Sequence, residues 1–293
     1  MQLSAGIGFP ALFVIAVAAT GCAPQEASTS AGASAGAPSS AASSCDKGTL
    51  ATAAEGKLTV GTDKPAYAPW FLDDAPASGK GFESAVAYSV AKALGYEKDQ
   101  VVWQTVPFNN SFAPGAKNFD FDINQVSVSD DRKKAVDFSS GYYDVRQAVV
   151  ALKTSPYAKA TTVADLRGAK LGAQVSTTSL DTINDIIKPK QRPAVFQKND
   201  FAKSALRNGQ VDAIVVDLPT GFYITSAEVP EAKVVGQFAT SSGPTEQFGL
   251  VLDKGSALTS CVTRAVDGLR ADGTLAALEK QWLSDAVNAP VLK

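Results

Sequence analysis

DFDINQVSVSDDRKKAVDF, Asp120 to Phe138, is the stretch whose reading decides the fold. It begins as an apolar strand, Phe121 to Val126, broken by Asp122, and then runs through hydrogen-bonding side chains at Asn124, Gln125, Ser127 and Ser129. Ser129 followed by Asp130 and Asp131 predicts a helix N-cap with acids in the first turn, favoured by the cap bond and the helix dipole. Arg132 then falls near the start of a short helix, beside backbone N–H groups. A guanidinium, hydroxyls, amides and free N–H groups in one place suit a carboxylate or a phosphate. A strand-to-helix turn with a solvated charged face fits the same spacing, so the stretch alone leaves both readings open.

Composition narrows the chemistry. The formal net charge is -2, which gives no electrostatic basis for binding nucleic acid. The chain has no His, so the commonest general base and metal ligand is missing, and with it any Ser-His-Asp or Cys-His constellation. Cys22, Cys45 and Cys261 are too scattered for a zinc or redox motif. No metal and no cofactor is expected.

The N-terminal end reads as a targeting segment. Residues 3–20 are mostly apolar or small, with a core, Phe9 to Ala19, of signal-peptide length and short for a bilayer span. It leads into Ala19-Thr20-Gly21-Cys22, which resembles a bacterial lipobox, although no Leu stands three places before Cys22 and no Lys or Arg precedes the apolar run. The expectation is a signal peptide over 1–21 with Cys22 lipidated (palmitate), and an uncleaved anchor is the alternative. Either puts the rest of the chain on the outer face of the cell membrane. Residues 22–44, dominated by Ala, Ser, Gly, Thr and Pro with Glu26 as the one charge, form a tether that cannot bury enough apolar surface to order itself.

Beyond Cys45, strands alternate with helices. Lys57–Asp63 and Val101–Val106 read as strands around a helix whose Val86, Val90, Ala93 and Leu94 share a face, with Gly95 as its stop. Gln147–Leu152 is another strand. The pattern then starts again with a strand at Lys170–Ala173, a helix opened by Ser176 to Ser179, a strand at Ala194–Phe196 and a helix capped by Asp200. The buried strand AIVV ends at Asp217, and Phe248–Leu252 with two C-terminal helices completes the chain. Alternation of this kind predicts α/β units with largely parallel sheets. Ligands of open α/β sheets bind beyond the carboxyl ends of strands. Asp63, the region of Asn124 to Ser127, Ser176 to Thr178 and Asp217 all fall there.

Taken in order, LTVGTDKPAYAPW, GKGFESAVAYSVAKALG, FDFDINQVSVSDDRKKAVDFSSGYY, DLRGAKLGAQVSTTS, LRNGQVDAIVVD and LRADGTLAALEKQWL resemble the extracellular solute-binding proteins that serve ATP-driven (ABC) importers of polar amino acids. The resemblance spans roughly Lys57 to Leu283. It implies a two-lobed α/β fold of the type II periplasmic-binding-protein kind, with two hinge-crossing strands and the ligand between the lobes. The crossings map to about Arg146–Leu152 and Glu246–Leu252. Lobe one would comprise 45–148 and 249–293, and lobe two 149–248.

The same resemblance implies a binding site. Arg132, with Ser127, Ser176, Thr177 and Thr178, would hold the ligand α-carboxylate, since a planar guanidinium matches a carboxylate bidentately. Asp217 would take the α-ammonium, and Tyr67 and Phe108 would pack on the aliphatic part, with core packing as the rival reading for both aromatics. Asn124 and Gln125 stand where many relatives carry small hydroxyl residues, and are expected to tune selectivity or fill a smaller pocket. Asp63 matches a position that contacts cationic side chains in some relatives, or caps its loop. Glu83 is expected to cap the helix that it starts. Cys45 and Cys261, in an oxidising compartment, are expected to pair. The implied protein is a monomeric lipoprotein, not an enzyme, that hands a polar amino acid to permease subunits. A small-carboxylate dehydratase on the same fold and a ligand-sensing module are the alternatives.

Overall fold

The computed structural model describes residues 44–239, 245–283 and 289–293. The signal peptide, Cys22 and the tether therefore lie outside the described residues. Among the described residues, eleven strands form two sheets. β1 (Leu58–Thr62), β2 (Val101–Thr105), β3 (Phe121–Asp122), β4 (Val136–Asp144) and β10 (Gln247–Asp253) make the first, in the order β2-β1-β3-β10-β4. β5 (Gln147–Leu152), β6 (Leu171–Gln174), β7 (Ala194–Phe196), β8 (Ala213–Asp217), β9 (Ala232–Phe238) and β11 (Val291–Leu292) make the second, in the order β11-β9-β5-β8-β6-β7. The helices are α1 (Phe82–Ala93), α2 (Phe108–Ser111), α3 (Asp130–Lys133), α4 (Thr178–Asp181), α5 (Asn199–Arg207), α6 (Leu218–Tyr223), α7 (Thr259–Ala271) and α8 (Thr274–Leu283). Among the described residues no helix is long and apolar enough to cross a membrane.

The sheets are mixed rather than largely parallel. β1 pairs in parallel with β2 and β3, and β6 with β7 and β8. The strands flanking the two passages between sheets reverse direction: β10 is antiparallel to β3 and β4, and β5 to β8 and β9. The chain leaves the first sheet after β4, enters the second at β5, and returns ahead of β10. A strand that arrives from the other sheet enters from the opposite end, which explains the reversal.

Apolar runs become strands covered on both faces. In the second sheet Val149, Ala151, Ala213 and Val215 belong to one core, with Leu171, Ile183 and Ile187. Val150, Ile214 and Val216 belong to the other, with Ala202, Ala205 and Leu206. Period-two alternation between two buried faces is why QAVVAL and AIVV carry no polar position until their ends. In the first sheet, Leu58, Val60, Phe121, Leu250 and Leu252 meet α1, α7 and α8 around the fully buried Trp70, Phe71 and Phe82. The buried face of α1 is Val86, Ala87, Val90 and Ala91, followed by Leu94. Ala93, expected on that face, is exposed.

Several local expectations are corrected. β3 stops at Asp122 instead of continuing to Val126, because Gln125 takes a left-handed φ of 50° and cannot extend the ladder. Asp200 does not cap its helix. α5 starts at Asn199 with Lys198 as N-cap, and Asp200 instead pairs with Lys203 at 2.8 Å. Residues 291–293 do not stay with the first sheet: β11 pairs in parallel with β9, Lys293 exchanges hydrogen bonds with Thr161 and Val163, and Leu292 is buried. Gly236 permits that approach, since a Cβ there would stand 2.8 Å from the Pro290 carbonyl. Cys45 and Cys261 form a disulfide that ties the start of the folded part to α7.

Candidate functional site

The anion-friendly turn forms as its sequence indicates. Ser129 is the N-cap of α3, and its hydroxyl accepts from the Arg132 amide at 3.2 Å. The Arg132 side chain turns inward, whereas Lys133 and Lys134 pair with Asp130 and Asp131 at the surface. The guanidinium stacks 4.3 Å from the Phe112 ring and 5.7 Å from Phe108, a cation–π arrangement that holds its plane. It donates to the Ser127 carbonyl at 2.7 Å and to the Ser176 carbonyl at 2.8 Å. Burial lowers its pKa, opposed by Asp181, Glu246 and Asp217.

Around it lies a cavity of about 40 Å³, lined by Asp63, Tyr67, Phe108, Asn124, Gln125, Ser127 and Arg132 from one side and by Gln174, Thr177, Thr178, Ser179, Asn199 and Asp217 from the other. Both halves of the chain thus reach one space. Ser127 Oγ and Thr178 Oγ1 are 3.3 Å apart across it, and behind it Trp70 Nε1 donates to Thr220 Oγ1 at 2.9 Å. At the rim Lys198 approaches Asp63 at 4.0 Å, and Lys203 lies 5.2 Å above the Tyr67 ring.

Ser176 is exposed and outside the lining. It holds a left-handed φ of 60° and contributes its carbonyl to Arg132. Thr177 lines the cavity, but its hydroxyl is committed locally, donating to Gln174 O at 2.7 Å and capping α4 through the Leu180 amide at 3.2 Å. Thr178 Oγ1 remains turned to Ser127 and Gln147. Gln125 reaches the cavity wall while its backbone N–H and its side-chain amide both donate to the Glu83 carboxylate. Asp63 accepts from the Lys64 amide at 2.6 Å, a loop contact, while it borders the cavity.

Glu83 is no helix cap. α1 begins after Gly81, and the Phe82 and Glu83 amides donate to the carbonyls of Pro69 and Trp70 at 3.1 and 2.9 Å. Only glycine fits at 81, where φ is 98° and a Cβ would meet the Trp70 carbonyl at 2.4 Å. The freed Glu83 side chain is fully buried and accepts from Gln125 and from the Tyr142 hydroxyl. Burial pushes its pKa up to about 7, against those hydrogen bonds. The folded protein therefore keeps a proton that the unfolded chain releases near the ordinary carboxylate value of 4.5. Its contribution to stability is fully present below that value and is lost as pH rises to about 7, an effect of about 3 kcal/mol. Urea unfolding of the ligand-free protein at pH 5 and pH 8 is expected to show a fall to which Asp122 and Asp217, also raised by burial, contribute in the same direction, and Glu83→Gln is expected to reduce it by the Glu83 share. An undiminished slope in the variant would assign the effect elsewhere.

Asp217 begins α6 without a cap bond, and its Oδ1 accepts from Gln147 Nε2 at 2.8 Å. Burial first, and Glu246 second, push its pKa up to about 8. Gln147, Glu246 and Phe112 were not singled out from sequence. Gln147 is buried at the head of β5, opposite Asp217 in the ladder. It donates also to Thr178 Oγ1 at 3.2 Å and accepts from Ser179 Oγ at 2.6 Å. The arrangement presents the Arg132 guanidinium, the Ser127 hydroxyl and the Asp63 carboxylate on one wall and the Thr178 hydroxyl and the Asp217 carboxylate on the other, with aromatic rings beside them, the chemistry to hold a small zwitterion.

Comparison with known proteins bears on that chemistry. Residues 58–285 match the model of bacterial extracellular solute-binding proteins, family 3. The L-cystine-binding protein TcyJ of Escherichia coli strain K12 is 28% identical over 240 residues, covering 81% of this chain and 86% of that protein. A probable histidine-binding protein of Campylobacter jejuni is 30% identical over 233 residues, 77% of this chain and 84% of the relative. The structure of an ancestral arginine-binding protein bound to arginine superposes with a TM-score of 0.64 at 28% identity, covering 78% of this chain and 98% of that one. The shared architecture is the two-lobed type II periplasmic amino-acid-binding fold.

Proposed function

The chain belongs to the bacterial extracellular solute-binding proteins, family 3, and on that premise we propose that it captures a polar amino acid between its two lobes and delivers it to the permease subunits of an ABC importer. The observation that carries this reading is the meeting, in one cavity, of Arg132 and Ser127 from the first lobe with Thr178 and Asp217 from the second. Arg132, with Ser127 and Thr178, takes the α-carboxylate. Asp217 takes the α-ammonium, which offsets the desolvation of a carboxylate whose neighbours in the cavity wall include no cation within ion-pair distance. Phe108 and Tyr67 flank the aliphatic part, and Asn124 and Asp63 face the ligand's side chain. Ligand held by groups of both lobes favours the form in which the lobes meet, and release requires breaking contacts such as Arg132 to Ser176 and Trp70 to Thr220.

The lobes are assigned to 45–148 with 249–290 and to 149–248, the C-terminal strand crossing to the second sheet. Cys22 is assigned as the lipid attachment point that tethers a monomer to the outer face of the membrane. The action is binding without turnover, in keeping with relatives named for binding. A thermal-shift screen of the L-amino acids tests the reading. At a ligand concentration of about 100 Kd the native state gains about 2.7 kcal/mol, which raises Tm by roughly 5–10 °C for a chain of this size. Failure of every amino acid to raise Tm would refute it.

A further inference from the structure

Glu246 stands immediately before β10, where the chain returns to the first sheet. Ser127 Oγ donates to its Oε1 at 2.6 Å, and both of its carboxylate oxygens lie 3.4 Å from Gln147 Nε2. The same nitrogen donates to Asp217 Oδ1 at 2.8 Å and to Thr178 Oγ1 at 3.2 Å. Two carboxylates and a hydroxyl therefore converge on one amide nitrogen, at the wall of the cavity that Ser127, Thr178 and Asp217 line. Among the described residues neither carboxylate has an ion-pair partner within 4.0 Å, and Arg132 has none either. A neutral amide bridges the two acids, and the Arg132 guanidinium is turned towards two backbone carbonyls.

Resting on the amino-acid reading above, we propose that Glu246 is a second ligand-binding carboxylate, forming with Asp217 and with a lone pair of the Thr178 hydroxyl, whose hydrogen goes to the α-carboxylate, a three-acceptor seat for the ligand's primary ammonium. A primary ammonium offers three N–H donors, one for each acceptor, and shares its charge between two acids. A secondary amine loses one of those donors, and a deaminated ligand leaves both carboxylates unpaired. Selection for a primary amine follows. The seat also joins three parts of the chain: Asp217 ends β8, Thr178 opens α4, and Glu246 rides on the return crossing.

Proton release gives an independent readout. The charged groups facing Asp217 are Glu246, Glu83 and Arg132, with the Tyr142 and Tyr143 phenols also near. A bound ammonium lowers the affinity of Asp217 for its proton, so binding at pH 7 releases protons. Without the Glu246 charge Asp217 starts out more ionised, and fewer protons leave.

Calorimetry of the full chain at pH 7 with L-arginine, L-histidine, L-cystine and L-glutamine, in buffers of different ionisation enthalpy, tests the seat. Glu246→Gln is expected to weaken the best of these ligands by about tenfold to a hundredfold and to reduce the protons released. The wild type is expected to prefer that ligand over its N-methyl form by more than about tenfold, a preference that shrinks in the variant. If Glu246→Gln gives no cooperative melting transition, Glu246→Asp and the N-methyl comparison on the wild type decide. Equal or tighter binding by Glu246→Gln, or equal wild-type affinity for the N-methyl form, overturns the seat and leaves the amino-acid reading standing. No binding of any of the four ligands by the wild type overturns both.

Discussion

Arg132→Ala is expected to weaken amino acid binding by roughly a hundredfold to a thousandfold, as measured by calorimetry on protein that still melts cooperatively. The size follows from desolvation. A ligand carboxylate enclosed between the lobes has given up its water, and removing the guanidinium that faces it leaves a buried charge without its partner, which costs about 3–5 kcal/mol. Loss of a single neutral hydrogen bond would cost about 1 kcal/mol, so the two cases are well separated. Arg132→Lys is expected to recover part of the loss, since an ammonium restores the charge without the two-pronged geometry or the stacking on Phe112. Lys133→Ala, which removes only an exposed pair with Asp130 at 3.5 Å, is expected to leave affinity unchanged. If Arg132→Ala binds as tightly as the wild type, the carboxylate site lies elsewhere.

The loss has a second component. Arg132 also donates across the cleft to Ser176 O, one of a few bonds that draw the lobes together. Its removal weakens closure as well as contact, so the variant is expected to lose affinity mainly through faster ligand release. Stopped-flow dissociation measures that directly. An unchanged release rate with a slower association would point to steering by the charge rather than to retention.

What the sequence made legible depended on whether a residue's role is set by its neighbours along the chain. The Ser129 cap, the acids after it and the placement of Arg132 are local, and they appear as read. Asp217 was legible because an acid closing an apolar run such as AIVV needs a partner. Gln147 was not legible, because its role comes from a register: antiparallel pairing of β5 with β8 sets it opposite Asp217, some 70 residues away. Glu246 and Phe112 likewise acquire their neighbours only through tertiary contacts. Glu83 was misread for a related reason. A Glu in the first turn of a helix ordinarily sits in solvent, and only the close approach of Gly81 to the Trp70 carbonyl turns this one into the core. The antiparallel strands escaped notice because hydrophobic alternation is blind to strand direction.

Opening the Cys45–Cys261 disulfide is expected to lower stability greatly while leaving amino acid affinity within about twofold. The bridge spans 216 residues, so in the chain-entropy model it restricts the unfolded ensemble by about 5 kcal/mol, an upper figure. For a chain of this size that corresponds to a fall in Tm of roughly 10–20 °C. The native site should be spared. Cys261 is buried on α7 in the first-sheet core, Cys45 packs at its margin, and neither lines the cavity. Calorimetric melting of the double variant Cys45→Ala/Cys261→Ala against the wild type, with ligand titrations of both below their transitions, separates the two effects. Because the bridge acts chiefly on the unfolded chain, folding of the double variant is expected to slow more than its unfolding quickens. Equal melting temperatures would show that the unfolded chain gains little from the closed loop. A large loss of affinity at preserved stability would show instead that the bridge shapes the site.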